Sequence, residues 1–240
     1  MKVLQILPQL NIGGVERGTL DLSKALIHKG HQSFVISGGG VLVDELTQCG
    51  AKHYEIPVHI KSLRTLSLAK RLSETISSID PDIVHVRSRM PAWVNYRAFK
   101  MLQKKPLLVS TFHGLYSFPI YSKVMSFVDH SIAISKTVER YILENYKLDK
   151  GDITVIPRGC DPLEFNNDEI NPVDKANIIE EFPQIVGKKV LTIPGRITKW
   201  KGVAEFIDLL SLLDDNYHGL IVGPTAKSKK KYLNKLQNKV

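Results

Sequence analysis

The chain has 240 residues, of which 43% are hydrophobic and 24% are charged, a composition typical of a soluble globular protein with one large or two small domains. Its net charge of +9 is concentrated at the C-terminus, because the last fourteen residues carry six lysines and no acid, and the rest has 27 bases against 24 acids. A nucleic-acid-binding protein would need a basic face together with a reader motif, and the chain has neither a zinc-finger spacing nor an aromatic RNA-binding signature.

Short apolar runs alternate with amphipathic segments from the N-terminus onward. The first strand is predicted at 3–7 and the first helix at 14–29, with a loop between them. Gly18 lies on the inward side of this helix, which indicates a close approach of helix to sheet. We expect the inward face to carry Val15, Gly18, Thr19, Leu22, Ala25 and Leu26.

The same alternation continues to about residue 165. Further strands are predicted at 34–36, 51–56, 82–86, 107–110, 131–134 and 153–156. Helices are predicted at 62–77, 92–103 and 136–145, and Ser135 is a good N-cap for the last of them. Repeated βα units of this length predict an α/β fold with a doubly wound parallel sheet, which we assign to a first domain at 1–165.

The segment 166–187 is polar and has one weakly helical stretch at 173–182, so we predict an interdomain linker there. A second α/β unit follows at 188–240. Its strands are predicted at 188–193 and 219–222, and its helices at 200–213 and from 228 onward. A domain of this class usually needs ~100 residues or more, so we predict that 188–240 is the start of an incomplete second domain.

Ligands of doubly wound sheets bind outside the carboxyl ends of the strands. The residues at the predicted strand ends are small or cationic rather than apolar. They include Gly13, Gly14, Arg87, His113 and Arg158. A crevice with this lining suits a phosphorylated ligand and carbohydrate hydroxyls. His113, between a strand end and a glycine, is either functional or structural, whereas His85 within a strand is expected to be packed or hydrogen-bonded near the cleft floor.

The stretch 194–202, with the sequence PGRITKWKG, lies between an apolar run and a predicted helix. A strand-to-helix junction collects free backbone N–H groups and the positive end of the helix dipole. Arg196 and Lys201 add two cations there, and Arg can chelate phosphate oxygens in a bidentate manner. The stretch therefore indicates a diphosphate site; the alternative is a solvated turn with two ordinary surface cations.

Several other site classes lack their sequence signals. The pair Gly13-Gly14 does not have the G-x-G-x-x-G spacing of a dinucleotide site, and the second strand ends without an acid that could hold a ribose. Cys49 and Cys160 are isolated, which fits a reducing cytoplasm and a protein without a bound metal. No run approaches the ~20 apolar residues that span a membrane, and the N-terminus has no signal-peptide pattern, so we expect a cytoplasmic protein.

Short stretches along the chain are weak signals singly but specific in their combined order and spacing. They are Gly13-Gly14-Val15-Glu16, Lys29-Gly30-His31, Pro81-Asp82-Ile83-Val84-His85, Thr111-Phe112-His113-Gly114, Ala133-Ile134-Ser135, Val155-Ile156-Pro157-Arg158-Gly159-Cys160-Asp161, and Gly195-Arg196 with Lys201-Gly202. Together they resemble the glycosyltransferase family 4 enzymes, which are retaining, nucleotide-sugar-dependent transferases of hexosyl type with the two-domain GT-B architecture.

The resemblance implies roles for the donor-side residues. Arg196 and Lys201 would bind the donor diphosphate. The turn at Gly13 and Gly14 would face the same phosphates and the sugar. His113 would be the catalytic residue in contact with the transferred sugar near the reacting centre.

The resemblance implies that Glu16, Arg87 and Arg158 contact the acceptor or line the cleft. The acceptor would be a glycan or a lipid-linked glycan, in lipopolysaccharide, capsule or exopolysaccharide biosynthesis at the inner face of the cytoplasmic membrane. No metal and no other cofactor is expected, since cationic side chains and a helix N-terminus take the charge of the leaving group.

Two departures from the family pattern bear on function. Arg87 stands where family members often have a second histidine after the strand, and this affects the acceptor contacts. The paired-glutamate segment E-x7-E, which holds the donor's sugar and ribose in the family, is absent from the 240 residues. We therefore expect a chain truncated within the donor domain; the alternative is a non-catalytic remnant or an assembly partner of a glycan pathway.

Two stretches could face an anionic membrane leaflet that carries a lipid-linked acceptor. One is an aromatic cluster after the fifth strand, formed by Phe112, Tyr116, Phe118, Tyr121 and Phe127. The other is a basic helix, marked by Lys61, Arg64, Lys70 and Arg71. The alternative is a core segment and a solvated helix face.

Overall fold

The computed structural model describes residues 1–60, 67–116, 119–162, 166, 170–225 and 230–239. The chain divides into two compact units, unit 1 at Met1–Gly159 and unit 2 at Cys160–Val240. The start of the predicted helix 62–77, together with Lys61, Arg64 and Phe118, lies outside the described residues. The domain boundaries at 165 and 187 stay predictions.

In the described residues, unit 1 is built on a seven-stranded sheet. Its strands are β1 (Lys2–Ile6), β2 (Gln32–Ser37), β3 (Lys52–Glu55), β4 (Ile83–Val86), β5 (Leu107–Phe112), β6 (His130–Ala133) and β7 (Ile153–Val155). All neighbours pair in parallel in the order β3-β2-β1-β4-β5-β6-β7, which confirms the predicted α/β fold with a parallel sheet.

Helices cover both faces of this sheet, as parallel strands require. They are α1 (Gly14–His28), α2 (Val43–Gln48), α3 (Ala69–Ile79), α4 (Arg89–Phe99), the short α5 (Pro119–Ser122) and α6 (Lys136–Asn145). Leu4 and Ile6 point to the side of the larger apolar cluster and Leu7 to the smaller one. Ser135 caps α6 as predicted, since its Oγ accepts a hydrogen bond from the backbone N–H of Val138 at 3.2 Å.

The inward face of α1 was predicted wrongly in part. The structure buries Thr19, Leu20 and Ser23, and it leaves Ala25 exposed and Leu22 half-buried. Apolar periodicity missed Ser23 because its hydroxyl, together with the backbone oxygen of Thr19, accepts hydrogen bonds from the buried amide of Gln5 in the sheet. Leu20, which was also missed, belongs to the smaller apolar cluster.

Unit 2 has a two-stranded parallel sheet of β8 (Lys189–Pro194) and β9 (Tyr217–Val222). Its described helices are α7 (Pro172–Glu181), α8 (Val203–Leu210) and α9 (Lys230–Gln237). The segment predicted as a linker contains α7, in which no residue is buried. The rest of unit 2 packs around a small apolar cluster. Its buried residues are Ile197, Val203, Ile207 and Leu236.

The helix predicted at 200–213 begins later and ends earlier than the apolar spacing indicated. Residues Lys199–Lys201 form a 3-10 turn, and Gly202 has φ 73°, in the left-handed region that favours glycine. The regular helix can start only after that reversal, at Val203. Among the described residues of the chain, no helix has the length and apolarity that a membrane span requires.

Candidate functional site

The order of the strands places a crevice at one edge of the unit 1 sheet. β1 lies between β2 and β4, so the connections that leave β1 and β4 run to opposite sides. In open α/β sheets such a switch point, at the carboxyl ends of the strands, is where ligands bind. The predicted site residues of unit 1 all follow strand ends at this edge. They are Gly13, Gly14 and Glu16 after β1, Arg87 after β4, His113 after β5 and Arg158 after β7.

Two arginine side chains meet above α1. Arg158 donates a hydrogen bond from Nη2 to the carbonyl oxygen of Gly14. A β-carbon at Gly18 would lie 2.5 Å from Nη2 of Arg158 and 3.2 Å from Nη2 of Arg87, so both guanidinium groups border the same point. Gly18 was predicted to allow a close approach of helix to sheet, but the structure shows that its bare backbone makes room for these two side chains.

Arg87 is held by Gln5, a residue in the middle of β1. Arg87 is only 6% exposed, and its Nη1 donates to Oε1 of Gln5 at 2.7 Å. The amide nitrogen of Gln5 donates to the backbone oxygen of Thr19 at 3.1 Å and to Oγ of Ser23 at 3.0 Å. Because a carbonyl oxygen only accepts, flipping this amide would set two acceptors against each other. The orientation of Gln5 is therefore fixed, and its oxygen must face Arg87.

Gln5 and Ser23 are not among the residues predicted from the sequence, and Thr19 is predicted only as part of the inward face of α1. The available signal was a polar glutamine between Leu4 and Ile6 in an apolar strand, since a fully buried amide needs partners. The network also includes Ser33, whose Oγ donates to Oγ of Ser23 at 2.9 Å.

Burial, together with the neighbouring charge of Arg158, lowers the pKa of Arg87 to about 10, while Asp21 and Glu16 act in the opposite direction. This pKa still leaves Arg87 protonated at neutral pH. Glu16 lies beside the start of α1, with its carboxylate against the position that a β-carbon of Gly13 would occupy. An acid in the first turn interacts favourably with the helix dipole.

His113 is partly buried, and both of its ring nitrogens are shielded from solvent with no hydrogen-bond partner among the described residues. Burial lowers its pKa to about 3, helped by the charges of Arg87 and Arg158. The imidazole is therefore neutral at physiological pH, with one ring nitrogen able to donate and the other able to accept.

His85 lies beneath the edge, as expected of a residue near the cleft floor. It is buried, and its Nε2 is 2.7 Å from Oγ1 of Thr111. Burial holds the pKa of His85 well below its usual range, and the charge of Arg87 and the neighbouring His113 act in the same direction.

Lowering the pH from 5.5 to 4.5 is expected to reduce the free energy of unfolding by ~1.4 kcal/mol through His113. The folded pKa of His113 is about 3 against an ordinary 6.5, so between these values the unfolded chain binds a proton that the folded chain does not. This contribution to stability is complete above pH 6.5 and is lost as the pH falls. Urea unfolding at successive pH values measures the change.

The variant His113→Gln is the control for this pH dependence. Its free energy of unfolding should depend less steeply on pH than that of the wild type. The difference should equal the contribution of one histidine. A variant with the wild-type pH profile would show that His113 titrates normally in the folded chain.

In unit 2, Arg196 follows β8 and Lys201 lies in the turn before α8, and both side chains are exposed. The Nζ of Lys201 is 4.7 Å from the centre of the Trp200 ring, a cation–π contact. The Cε of Lys201 would be 3.8 Å from a β-carbon at Gly195. Lys201 therefore sits beside the backbone at the carboxyl end of β8.

The aromatic cluster proposed for a membrane surface is in its described part mostly a packed segment. Phe112 is fully buried and packs on Tyr116, and the guanidinium of Arg89 lies 4.8 Å from the Tyr116 ring centre. The exposed apolar side chains of this stretch are Leu115, Ile120 and one member of the cluster, Phe127. For Phe112 and Tyr116 this favours the alternative of a core segment.

Within the described residues, no group of three or more His, Cys, Asp or Glu side chains is placed to hold a metal ion. Both cysteines, Cys49 and Cys160, are free thiols.

A family model described as Glycosyltransferase Family 4 matches residues 12–163. The uncharacterized glycosyltransferase MJ1069 of Methanocaldococcus jannaschii is 31% identical over 175 residues, which cover 64% of this chain and 43% of that protein. A crystal structure of a glycosyltransferase from Rickettsia africae has a TM-score of 0.83 and 33% identity, over 99% of this chain and 64% of that one.

The Anabaena protein HepE, in complex with UDP and glucose, has a similar fold with a TM-score of 0.80 at 18% identity, over 65% of its length. The chain thus spans less than half of the relative from Methanocaldococcus and just under two thirds of these two solved chains.

Proposed function

This chain belongs to glycosyltransferase family 4, and from that premise we propose that it takes part in moving a sugar from a nucleotide-diphosphate donor to a glycan or lipid-linked acceptor with retention of anomeric configuration. The observation that carries the proposal is His113, a neutral imidazole without a partner among the described residues, beside two guanidinium groups at the switch point of the sheet. Unused hydrogen-bonding groups at such an edge are typical of a ligand site.

In the proposed reaction the bond between the anomeric carbon and the β-phosphate oxygen breaks, and a bond to an acceptor hydroxyl forms on the same face of the sugar. The hydroxyl proton leaves with the phosphate or to solvent. Arg196 and Lys201 neutralise the charge that develops on the leaving diphosphate, a role in which fixed cations lower the barrier. His113 hydrogen-bonds a sugar hydroxyl near the reacting carbon. No metal is assigned a part in this scheme.

Glu16, Arg87 and Arg158 are assigned to the acceptor side, and Gly13 and Gly14 to a backbone surface open to the donor. The pathway we propose is lipopolysaccharide, capsule or exopolysaccharide assembly, with the protein in the cytoplasm at the inner face of the membrane. The resemblance of the motifs supports this assignment.

Calorimetric titration of the full chain with UDP, GDP and ADP tests the proposal. Saturable binding of one of the three nucleotides is expected, and it would also identify the donor base. Absence of binding for all three would contradict the proposal and favour the alternative of a non-catalytic remnant or assembly partner.

A further inference from the structure

We propose that unit 1 carries a subsite for a doubly charged oxyanion, such as a phosphate monoester on the acceptor, held between Arg87 and Arg158 with His113 beside it. This inference rests on the proposed function and specifies the substrate class of its acceptor side. The donor diphosphate is assigned separately to Arg196 and Lys201 in unit 2.

The proposed subsite contains buried hydrogen-bonding groups that have no partner among the described residues. The Nη1 of Arg87 is used by Gln5, but its Nε is buried and has no acceptor among the described residues, in a side chain that is 94% shielded from solvent. Both ring nitrogens of His113 are also buried without a partner. Buried polar groups in folded proteins are almost always hydrogen-bonded, so unpartnered donors at one place indicate a missing acceptor.

The positive charges of Arg87 and Arg158 also favour a bound anion. The Nη2 atoms of Arg87 and Arg158 border the same point above Gly18, and like charges this close repel each other. The facing acids are Glu16 and Asp21, and Asp21 is already paired with Arg17 at 3.3 Å. His113 adds no charge because it is neutral. An anion between the two guanidinium groups would remove the repulsion.

The donors of the subsite favour an anion with several accepting oxygens. A phosphate monoester carries about −1.5 to −2 charges at neutral pH, and its three terminal oxygens can accept from several donors at once. Two guanidinium groups can donate to several of these oxygens at once, whereas a carboxylate has only two oxygens to accept such hydrogen bonds. A neutral imidazole can still donate one N–H to a third oxygen.

Arg87 is already held in place in the absence of a ligand. The Gln5 network fixes Arg87 from behind, so one side of the subsite is rigid before a ligand arrives. Arg158 is exposed, and its Nη2 donates a hydrogen bond to the Gly14 carbonyl. It can rotate onto an arriving anion at small cost, so the pair forms one fixed and one adaptable clamp.

The test follows the His113 ring resonances by NMR while inorganic phosphate is added to the full chain. We expect saturable shifts at His113, and Arg158→Gln should weaken phosphate binding roughly ten- to hundredfold, because it removes charged hydrogen bonds. The matched control is Arg140→Gln, an exposed arginine on α6, which should bind phosphate as the wild type does. Phosphate that leaves His113 unchanged, or equal affinity in both variants, would overturn the subsite.

Two further titrations separate the sources of the anion. A hexose 6-phosphate that shifts His113 when the protein is already saturated with a nucleoside diphosphate would place the subsite on the acceptor. A nucleoside diphosphate that displaces phosphate from His113 would show that the donor supplies the anion and would overturn the acceptor assignment. If no nucleotide binds but phosphate does, the proposed function fails while the anion subsite stands.

Discussion

Backbone amides of β1 should exchange with deuterium at least a thousandfold more slowly than those of β8. Residues Val3 to Ile6 are all buried, and β1 is hydrogen-bonded on both sides, to β2 and β4. In β8 no residue is buried, and among the described strands it pairs only with β9. Strands with little buried apolar contact open locally at low free energy, and a difference of ~4 kcal/mol in opening corresponds to a thousandfold in exchange.

Hydrogen exchange measured by mass spectrometry on peptides from the two strands gives this comparison. The edge strand β7 of unit 1 is the matched control, because it too has a neighbour on one side only among the described strands. We expect β7 to exchange between the two extremes. If β8 is protected as strongly as β1, unit 2 is as stable as unit 1, and the expectation of an incomplete second domain must be withdrawn.

Arg196→Ala should weaken binding of a nucleoside diphosphate by about ten- to hundredfold. Hydrogen bonds to charged groups contribute ~1.5–3 kcal/mol each, and a bidentate contact from a guanidinium to phosphate contributes at the upper end. Arg196 is exposed directly after β8, where its side chain is free to turn to a ligand. Calorimetry with the nucleotide that binds the wild type measures the loss.

The control for this experiment is Lys199→Ala. Lys199 is another exposed cation of the same turn, and it has no part in the proposed diphosphate contact. Its removal should change affinity only slightly, since long-range interactions of exposed charges are screened at physiological salt. If both variants lose the same affinity, the effect is one of general charge rather than of a specific contact.

Much of the fold follows from apolar runs and their spacing. Strands buried on both faces, such as β1 and β4, are mainly apolar segments bounded by polar loops, each with one polar residue inside, and a parallel sheet puts all their carboxyl ends at one edge. That rule placed Arg87, His113 and Arg158 at the candidate site before any contact was known.

What could not be predicted depends on partners distant in sequence. Gln5 is 82 residues from Arg87, and their hydrogen bond exists only because β1 and β4 are neighbours in the sheet. Ser23 is not among the residues predicted on the inward face of α1, yet its Oγ accepts a hydrogen bond from the buried amide of Gln5. Thr19 is predicted on that face, but the partner of the amide is its backbone oxygen. The start of α8 was missed for a different reason, since the positive φ of Gly202 overrides the apolar spacing around it.

The hydrogen bond between Gln5 and Arg87 also couples the evolution of two positions. If residue 87 became histidine while Gln5 stayed, the locked amide would present an oxygen without a donor in a solvent-free environment, at a cost of ~1–3 kcal/mol. A substitution at residue 87 that changes the choice of acceptor would therefore require a substitution at residue 5 as well. Libraries designed to change substrate choice should randomise both positions jointly, with Ser23 adjusted to whatever replaces the amide, since Thr19 meets the amide through its backbone oxygen.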